Sequence, residues 1–182
     1  MKNVFIFLAD GCEEVESFTI VDVLRRGNVN IKMLSITNEL EIVGAHGIRF
    51  MADLKLSEFD AKNADYLLLP GGMPGAKNLA DSKLLINILK EHLSANKGIG
   101  AICAAPALVL SKLNREMNIT CYPGFGKFFP KANILTDGVV VDGLITTGKG
   151  PAYAMLFAKK VLEQLTTLEN ANSVASGLLL SE

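Results

Sequence analysis

Cys103 is the side chain of this sequence best suited to act as a nucleophile. It lies in the stretch GIGAICAAP, residues 98–106. An apolar run ends at this cysteine, and two alanines follow it. The pattern resembles the nucleophile elbow of hydrolases, G-x-S-x-G, with alanines in place of the two glycines. A helix after the turn would direct its first amides at the sulfur, which predicts a lowered thiol pKa and a side chain exposed above the sheet. A buried, inert cysteine is the competing interpretation, and position alone leaves both open.

A carboxyl group that could act with this thiol is that of Glu16, in the segment DGCEEVE. Glu13, Glu14 and Glu16 cluster where the first helix begins, and at least one of the first two is expected simply to complement the helix N-terminus. Glu16 points elsewhere on the helix. Beside a thiolate its pKa would rise, so that a protonated Glu16 could donate a hydrogen bond to the sulfur and serve as general acid and base.

Backbone amides could complete such a site. Gly71 and Gly72 follow an apolar run, and their N–H groups, with that of Ala104, could form an oxyanion hole for a substrate carbonyl. A tight turn that needs a positive φ explains the two glycines equally well, and both interpretations can hold together.

The elements that would position these groups alternate between strand and helix. This rhythm favours βαβ units, a largely parallel sheet covered on both faces, and one doubly wound three-layer domain over residues 1–182. Ligands of such sheets bind beyond the carboxyl ends of the strands, so the thiol, the carboxyl and the glycine pair are expected at one rim. The predicted strands are Val4–Ala9, Val29–Ile36, Asp65–Gly72, Ile99–Cys103 and the end of Val139–Gly150; the predicted helices are Glu13–Arg26, Ser82–Ser94 after a short turn, Ala104–Leu113 and Ala152–Leu165, with a hairpin or irregular excursion at Asn38–Asp53 and a short helix or strand after Leu168.

Four further residues are possible neighbours or alternatives. Cys121 and Tyr122 end a short strand-like segment and could border Cys103, with Cys121 either a core residue or a resolving thiol. His46 lies in a glycine-flanked loop that could approach the rim or an interface, and His92 is expected on the surface of its helix. These are the two histidines of the chain, so a Cys-His pair supplied from later in the sequence and a histidine-rich metal site are both excluded.

Composition removes several other classes of function. The chain has 182 residues, 18 basic and 19 acidic, so nothing indicates nucleic-acid binding. Three widely spaced cysteines without a CxxC argue against a disulfide framework and a zinc site. No signal peptide or membrane-spanning run occurs, and no glycine motif for a nucleotide follows a strand. We therefore expect a cytoplasmic protein that needs no metal or cofactor.

Four segments together resemble the successive motifs of the ThiJ/PfpI superfamily, in the branch that includes the Parkinson-disease protein and its bacterial relatives. They are LADGCEEVE, LLLPGGMPGAKNL, AICAAP and DGLITTGKGPAYA, and the resemblance runs from Val4 to about Leu165. It implies a flavodoxin-like α/β sandwich and a homodimer. It also implies that Cys103 is a reactive cysteine on a strained elbow, that Glu16 is its protonated partner, and that the amides of Gly72 and Ala104 contact a bound oxyanion or oxidised sulfur.

Three departures from the family pattern bear on activity. The peptidase branch has histidine directly after the cysteine, where this chain has Ala104, which argues against peptidase activity. Some members bring a histidine to the cysteine from the position that Tyr122 occupies, so Glu16 would be the proton shuttle here. His46 stands where some relatives have arginine, a change that bears on anion binding or on the dimer contact.

Two functions follow from the resemblance and share one reactive thiol. The first is a glyoxalase or deglycase that acts on reactive dicarbonyls such as methylglyoxal or on their adducts with proteins or nucleotides. The second is a non-enzymatic redox sensor or chaperone in which Cys103 is oxidised to the sulfinic acid.

Overall fold

A seven-stranded sheet forms the centre of the protein, for which a computed structural model describes residues 1–180. Its strand order is β10-β11-β7-β6-β1-β2-β5, and every neighbouring pair is parallel except β10 and β11. Two small pairs lie outside it, an antiparallel β3-β4 hairpin and a parallel β8-β9 pair. The strands are β1 (Asn3–Leu8), β2 (Asn30–Ser35), β3 (Glu41–Val43), β4 (Arg49–Met51), β5 (Leu54–Lys55), β6 (Tyr66–Leu69), β7 (Gly98–Ile102), β8 (Met117–Ile119), β9 (Ala132–Ile134), β10 (Val139–Asp142) and β11 (Ile145–Gly148).

Helices cover the sheet in two groups. The helices are α1 (Glu14–Arg26), α2 (Gly75–Asp81), α3 (Lys83–Ser94), α4 (Ala105–Leu108), α5 (Ala154–Leu165) and α6 (Leu168–Gly177). In one group α5 contacts both α1 and α6, and in the other α2 contacts α3 and α4. The central strands β6 and β7 are buried along their whole length, as strands covered on both faces must be. The predicted flavodoxin-like three-layer α/β architecture is confirmed; a single domain over residues 1–182 stays a prediction.

Several element predictions are confirmed and others need correction. The hairpin expected within Asn38–Asp53 is β3-β4, and Leu168–Gly177 of the tail form helix α6. The segment before α3 is a second helix, α2, rather than a short turn. Extended backbone at Ser82 separates the two helices, and its side chain caps α3 by accepting from the Leu85 N–H at 3.3 Å. The helix expected at Ala104–Leu113 is only the four-residue α4, followed by a 3₁₀ turn that ends at Asn114 in the left-handed region, φ 55°.

His92 is buried, which contradicts the expectation of a surface residue. Its side chain continues the apolar stripe of α3 that Leu85 and Leu89 form at helical spacing, so it faces the core. Its Nε2 is buried and has no hydrogen-bond partner among the described residues. Burial is the main reason that its pKa falls to about 4, which keeps the ring neutral at physiological pH.

None of the helices within residues 1–180 is both long enough and apolar enough to cross a bilayer.

Candidate active site

Cys103 lies between β7 and α4 in a strained backbone conformation. Its φ is 65°, in the left-handed region that non-glycine residues rarely adopt. Hydrogen bonds on both sides fix this conformation: its N–H donates to the Gly148 carbonyl at 2.9 Å, and its carbonyl accepts from the Tyr122 N–H at 2.8 Å. The elbow geometry that the sequence pattern predicted is therefore present. Strain that the surrounding structure maintains in this way is typical of functional positions.

Glu16 reaches the thiol from the first turn of α1. Its carboxyl is fully buried, and its Oε2 accepts a hydrogen bond of 2.7 Å from the Gly71 N–H. The carboxyl also interacts with the side chain of Cys103. The other oxygen, Oε1, is buried and lacks a hydrogen-bond partner among the described residues. A buried acceptor without a partner is costly, so this oxygen is available for a proton or a bound molecule.

Gly71 is the close-approach point between these two side chains. A Cβ built on it would stand 2.5 Å from Cys103 Cβ, 2.9 Å from Sγ and 3.0 Å from Glu16 Oε2. Any larger residue would therefore displace the thiol or the carboxyl. The sequence predicted that the Gly71 N–H would bind an oxyanion, but this N–H donates to Glu16 Oε2 instead.

Two other backbone amides lower the pKa of the Cys103 thiol. The N–H groups of Gly72 and Ala104 hydrogen-bond to the Cys103 side chain and favour its anionic form. Gly72 has a φ of 84°, and a side chain there would collide with the backbone of Glu13, so the turn after β6 requires glycine. The role of Gly72 and Ala104 as anion-binding donors stays a prediction, and their lowering of the Cys103 pKa supports it.

Burial controls the protonation of Glu16. It raises the pKa of this carboxyl to about 7, against the opposing hydrogen bonds from Gly71 and Cys103, and the charge of Glu13 raises it further. The predicted rise of the Glu16 pKa is therefore correct, but its principal cause is burial away from water rather than a neighbouring thiolate.

The expectation of an exposed thiol with a lowered pKa is wrong. Cys103 is only 7% exposed. Burial and the negative charge of Glu16 raise its pKa to about 12, and the amides of Gly72 and Ala104 only partly offset them.

At neutral pH the thiol therefore keeps its proton, and Glu16 is the group of the pair that titrates in this range. With a pKa of about 7, Glu16 is partly ionised there and can accept the proton of the adjacent thiol. That transfer neutralises Glu16. The negative charge of Glu16 is one of the causes that raise the Cys103 pKa, so its loss favours the thiolate. The arrangement therefore gives the thiol an adjacent proton acceptor, Glu16, and two amides that favour the thiolate.

The other residues singled out from the sequence make no side-chain hydrogen bond to Cys103 among the described residues. Tyr122 contributes its N–H to the Cys103 carbonyl, while its side chain is exposed. Cys121 is buried, which suits a core residue, and burial raises its pKa. Cys12, in the loop after β1, is fully buried.

His46 belongs to a cluster that the sequence did not reveal. Its ring Nδ1 is 2.8 Å from Glu14 Oε2 and 3.7 Å from Glu13 Oε2, and its backbone N–H donates to Glu14 Oε1 at 2.8 Å. Glu14 raises the pKa of this histidine by hydrogen bonding. Glu14 thereby ties the β3-β4 turn to the start of α1. Atoms of Glu13, Glu14 and His46 that could bind a metal ion lie within 4.8 Å of one another, but both carboxylate oxygens of Glu14 already interact with His46.

Comparison with known proteins agrees with this fold. The model of the DJ-1/PfpI family matches residues 2–164, and the chain therefore belongs to the DJ-1/PfpI family. It is 31% identical to the glutathione-independent glyoxalase DJR-1.2 of Caenorhabditis elegans, covering 100% of this chain and 98% of that protein. Its fold matches the structure of oxidised Toxoplasma gondii DJ-1 with a TM-score of 0.93 at 34% identity over the full length of both chains.

One group of relatives is much longer than this chain. The protein is 33% identical to DJ-1 homolog B of Arabidopsis thaliana over 98% of its own length, yet it spans only 41% of that relative.

Proposed function

We propose that this protein is a cofactor-independent glyoxalase that converts α-oxoaldehydes such as methylglyoxal into 2-hydroxy acids through Cys103. The observation that carries the proposal is the pairing of a strained, amide-contacted thiol with a fully buried carboxyl whose pKa is about 7. The glyoxalase name of the Caenorhabditis elegans relative supports the same reaction class at 31% identity.

The chemistry needs one nucleophile, one proton shuttle and two amide donors. Glu16 takes the thiol proton as the sulfur adds to the aldehyde carbon and passes it to the new alkoxide oxygen, which gives a neutral hemithioacetal and frees the carboxylate. The carboxylate next removes the hydrogen of that carbon and a proton returns to the neighbouring carbon, so the first is oxidised and the second reduced within one molecule. The amides of Gly72 and Ala104, which already contact the sulfur, are donors for the oxyanion or enolate that forms beside it. Water then cleaves the thioester, releasing lactate and restoring the thiol.

Lactate formation from methylglyoxal by the purified protein tests this proposal. Wild type should produce one lactate for each methylglyoxal consumed. Cys103→Ala should reduce the rate to that of the buffer, whereas Cys121→Ala, a change of another buried cysteine, should leave most of it. Full activity in Cys103→Ala would contradict the proposal. Adducts of dicarbonyls on amines or thiols are the related substrates to assay beside methylglyoxal, because a deglycase would use the same thiol.

A second candidate function is redox sensing, and one observation favours it. The amides of Gly72 and Ala104 that contact the sulfur would equally bind oxygens of an oxidised Cys103, and the matching Toxoplasma gondii structure is of an oxidised protein. After mild peroxide treatment, mass spectrometry should find Cys103 oxidised before Cys12 and Cys121. Equal oxidation of all three cysteines would contradict this role.

We also propose that two copies of the chain form a homodimer through α1 and the β3-β4 hairpin. Val15 and Phe18 on α1 and Ile48 and Met51 on the hairpin expose apolar side chains, and the rings of Phe18 and Phe50 pack at 4.8 Å. A patch of this kind commonly marks an association surface. Ile48→Glu should shift the mass measured by light scattering from two chains to one; an unchanged mass would contradict this interface.

Location and the remaining partners also stay proposals. The three cysteines are free thiols, which supports a reducing compartment such as the cytoplasm. The net charge of −1 offers no support for a nucleic-acid partner.

A further inference from the structure

A groove of about 450 Å³ lies beside the turn that carries the candidate oxyanion donor Gly72. Met73, Leu108, Phe125 and Phe128 supply its apolar wall. Its volume falls within the range of small-molecule sites, which are mostly apolar with a few polar groups that fix orientation. Two of these side chains are unusually exposed for their type, Met73 at 47% and Phe128 at 49%.

The groove borders three of the segments that build the candidate active site. Met73 follows Gly72 directly, so their Cα atoms are about 3.8 Å apart. Leu108 donates its N–H to the Ala104 carbonyl, one turn along the helix that begins after Cys103. Phe125 packs edge-on against the ring of Tyr122, with centroids 6.0 Å apart. A molecule in the groove would therefore lie against residues that follow Gly72, Ala104 and Tyr122 in these segments, while Cys103 itself does not line the groove.

The polar lining gives the groove a net positive charge. Lys77, Lys112 and Asp81 are its charged residues. Lys77 pairs with Asp81 at 2.6 Å, which neutralises both. Lys112 forms no ion pair with any residue in the described part of the chain, residues 1–180, and remains exposed. A ligand that complements this groove would therefore carry one negative charge, attached to an apolar group.

We propose that this groove is a substrate subsite that binds an aryl or branched alkyl group carrying one carboxylate, attached to the carbonyl that reacts at Cys103. The proposal deepens the proposed glyoxalase function and rests on it for the reacting carbonyl. The aromatic wall of Phe125 and Phe128 contacts the apolar group, and Lys112 attracts the carboxylate. Methylglyoxal, which has neither feature, would leave the groove empty.

Binding can be measured without turnover in the Cys103→Ser protein. We would titrate 4-isopropylbenzoate, with the uncharged 4-isopropylbenzamide as the matched ligand, and follow both by calorimetry and ligand-detected NMR. The benzoate should bind about five-fold more tightly than the amide, the effect of one solvent-exposed charge contact of about 1 kcal/mol. Equal binding of the two ligands, or no binding of either at millimolar concentration, would overturn the subsite.

Three variants in the same background locate the bound molecule. Lys112→Gln should reduce benzoate affinity to that of the benzamide, and Phe128→Ala should weaken both ligands by up to about tenfold through lost apolar contact. Both positions are exposed, so neither change threatens the fold. Lys62→Gln, an exposed lysine outside the groove, is the control and should have no effect. Benzoate binding that Lys112→Gln and Phe128→Ala leave unchanged would refute the assignment.

Turnover separates the two proposals. With active protein, 4-carboxyphenylglyoxal should have a lower KM than methylglyoxal, and Phe128→Ala should raise the first KM but not the second. Methylglyoxal turnover with equal KM values for both substrates would contradict the subsite alone. Selective benzoate binding without turnover of any oxoaldehyde would contradict the glyoxalase function and leave the groove as a binding site.

Discussion

Replacement of Glu16 by glutamine should stabilise the fold at alkaline pH while abolishing the proposed chemistry. The carboxyl is fully buried and its pKa rises from 4.5 to about 7 in the folded protein. Between those two values the native state binds more protons than the unfolded chain, so the stability of wild type falls as pH rises through this window. Above pH 7 the whole effect is present, and 2.5 pKa units correspond to about 3 kcal/mol.

Glutamine has the same shape but no charge to bury. Its side-chain oxygen can still accept the hydrogen bond that Gly71 donates to Glu16. Glu16→Gln should therefore be more stable than wild type at pH 8, by up to about 3 kcal/mol, and equally stable at pH 4.5. Its kcat/KM for methylglyoxal should fall by about 10²–10⁴, the usual contribution of a general acid–base group.

Urea denaturation at a series of pH values measures the stability difference, and lactate formation measures the activity. Other groups that titrate in this range are common to both proteins and cancel in the comparison. A variant that is less stable than wild type at pH 8, or a difference that does not change with pH, would refute the inference that burial raises the pKa of Glu16. Retained activity would refute its role as proton shuttle.

Three further outcomes follow from single positions. His92→Leu should gain stability relative to wild type as pH falls from 6.5 to 4, by up to about 3 kcal/mol in urea denaturation. The reason is that the unfolded chain binds a proton at His92 in this range, whereas the buried ring, with its pKa of about 4, stays neutral. A stability difference that does not change with pH would contradict this. Cys103→Gly should be about 1 kcal/mol more stable than Cys103→Ala in thermal unfolding, since glycine relieves the strain of φ 65°; the reverse order would show that the elbow is unstrained. Gly71→Ala should lower kcat/KM about 100-fold by displacing the thiol or the carboxyl. Gly177→Ala is the control, because nothing lies within 4 Å of a Cβ added there. Equal activity in the two variants would contradict the close approach at Gly71.

The positions of Cys103, Glu16 and Gly72 were predictable because each follows directly from a strand end or a helix start. Alternation of apolar strands and amphipathic helices identifies a parallel sheet, and a parallel sheet brings the carboxyl ends of its strands to one edge. The motif order then identifies the family. None of these inferences required knowledge of side-chain contacts.

Protonation and burial were not predictable from the same patterns. The sequence indicates a helix after Cys103 but not that it ends after four residues, and it cannot show that packing leaves only 7% of the cysteine exposed. His92 is polar on a helix whose apolar stripe already looks complete, so its burial depends on tertiary packing. The contact between Glu14 and His46 joins residues 32 positions apart through a hairpin turn and leaves no periodic signal.

The pH dependence of kcat/KM for methylglyoxal tests most directly whether Glu16 takes the proton of Cys103. The first proton lost from the pair should belong mainly to the buried carboxyl, so kcat/KM should rise with a midpoint near pH 7. A rise centred near 8.5, the ordinary value of an isolated thiol, would contradict the account, because Cys103 would then ionise without the help of Glu16.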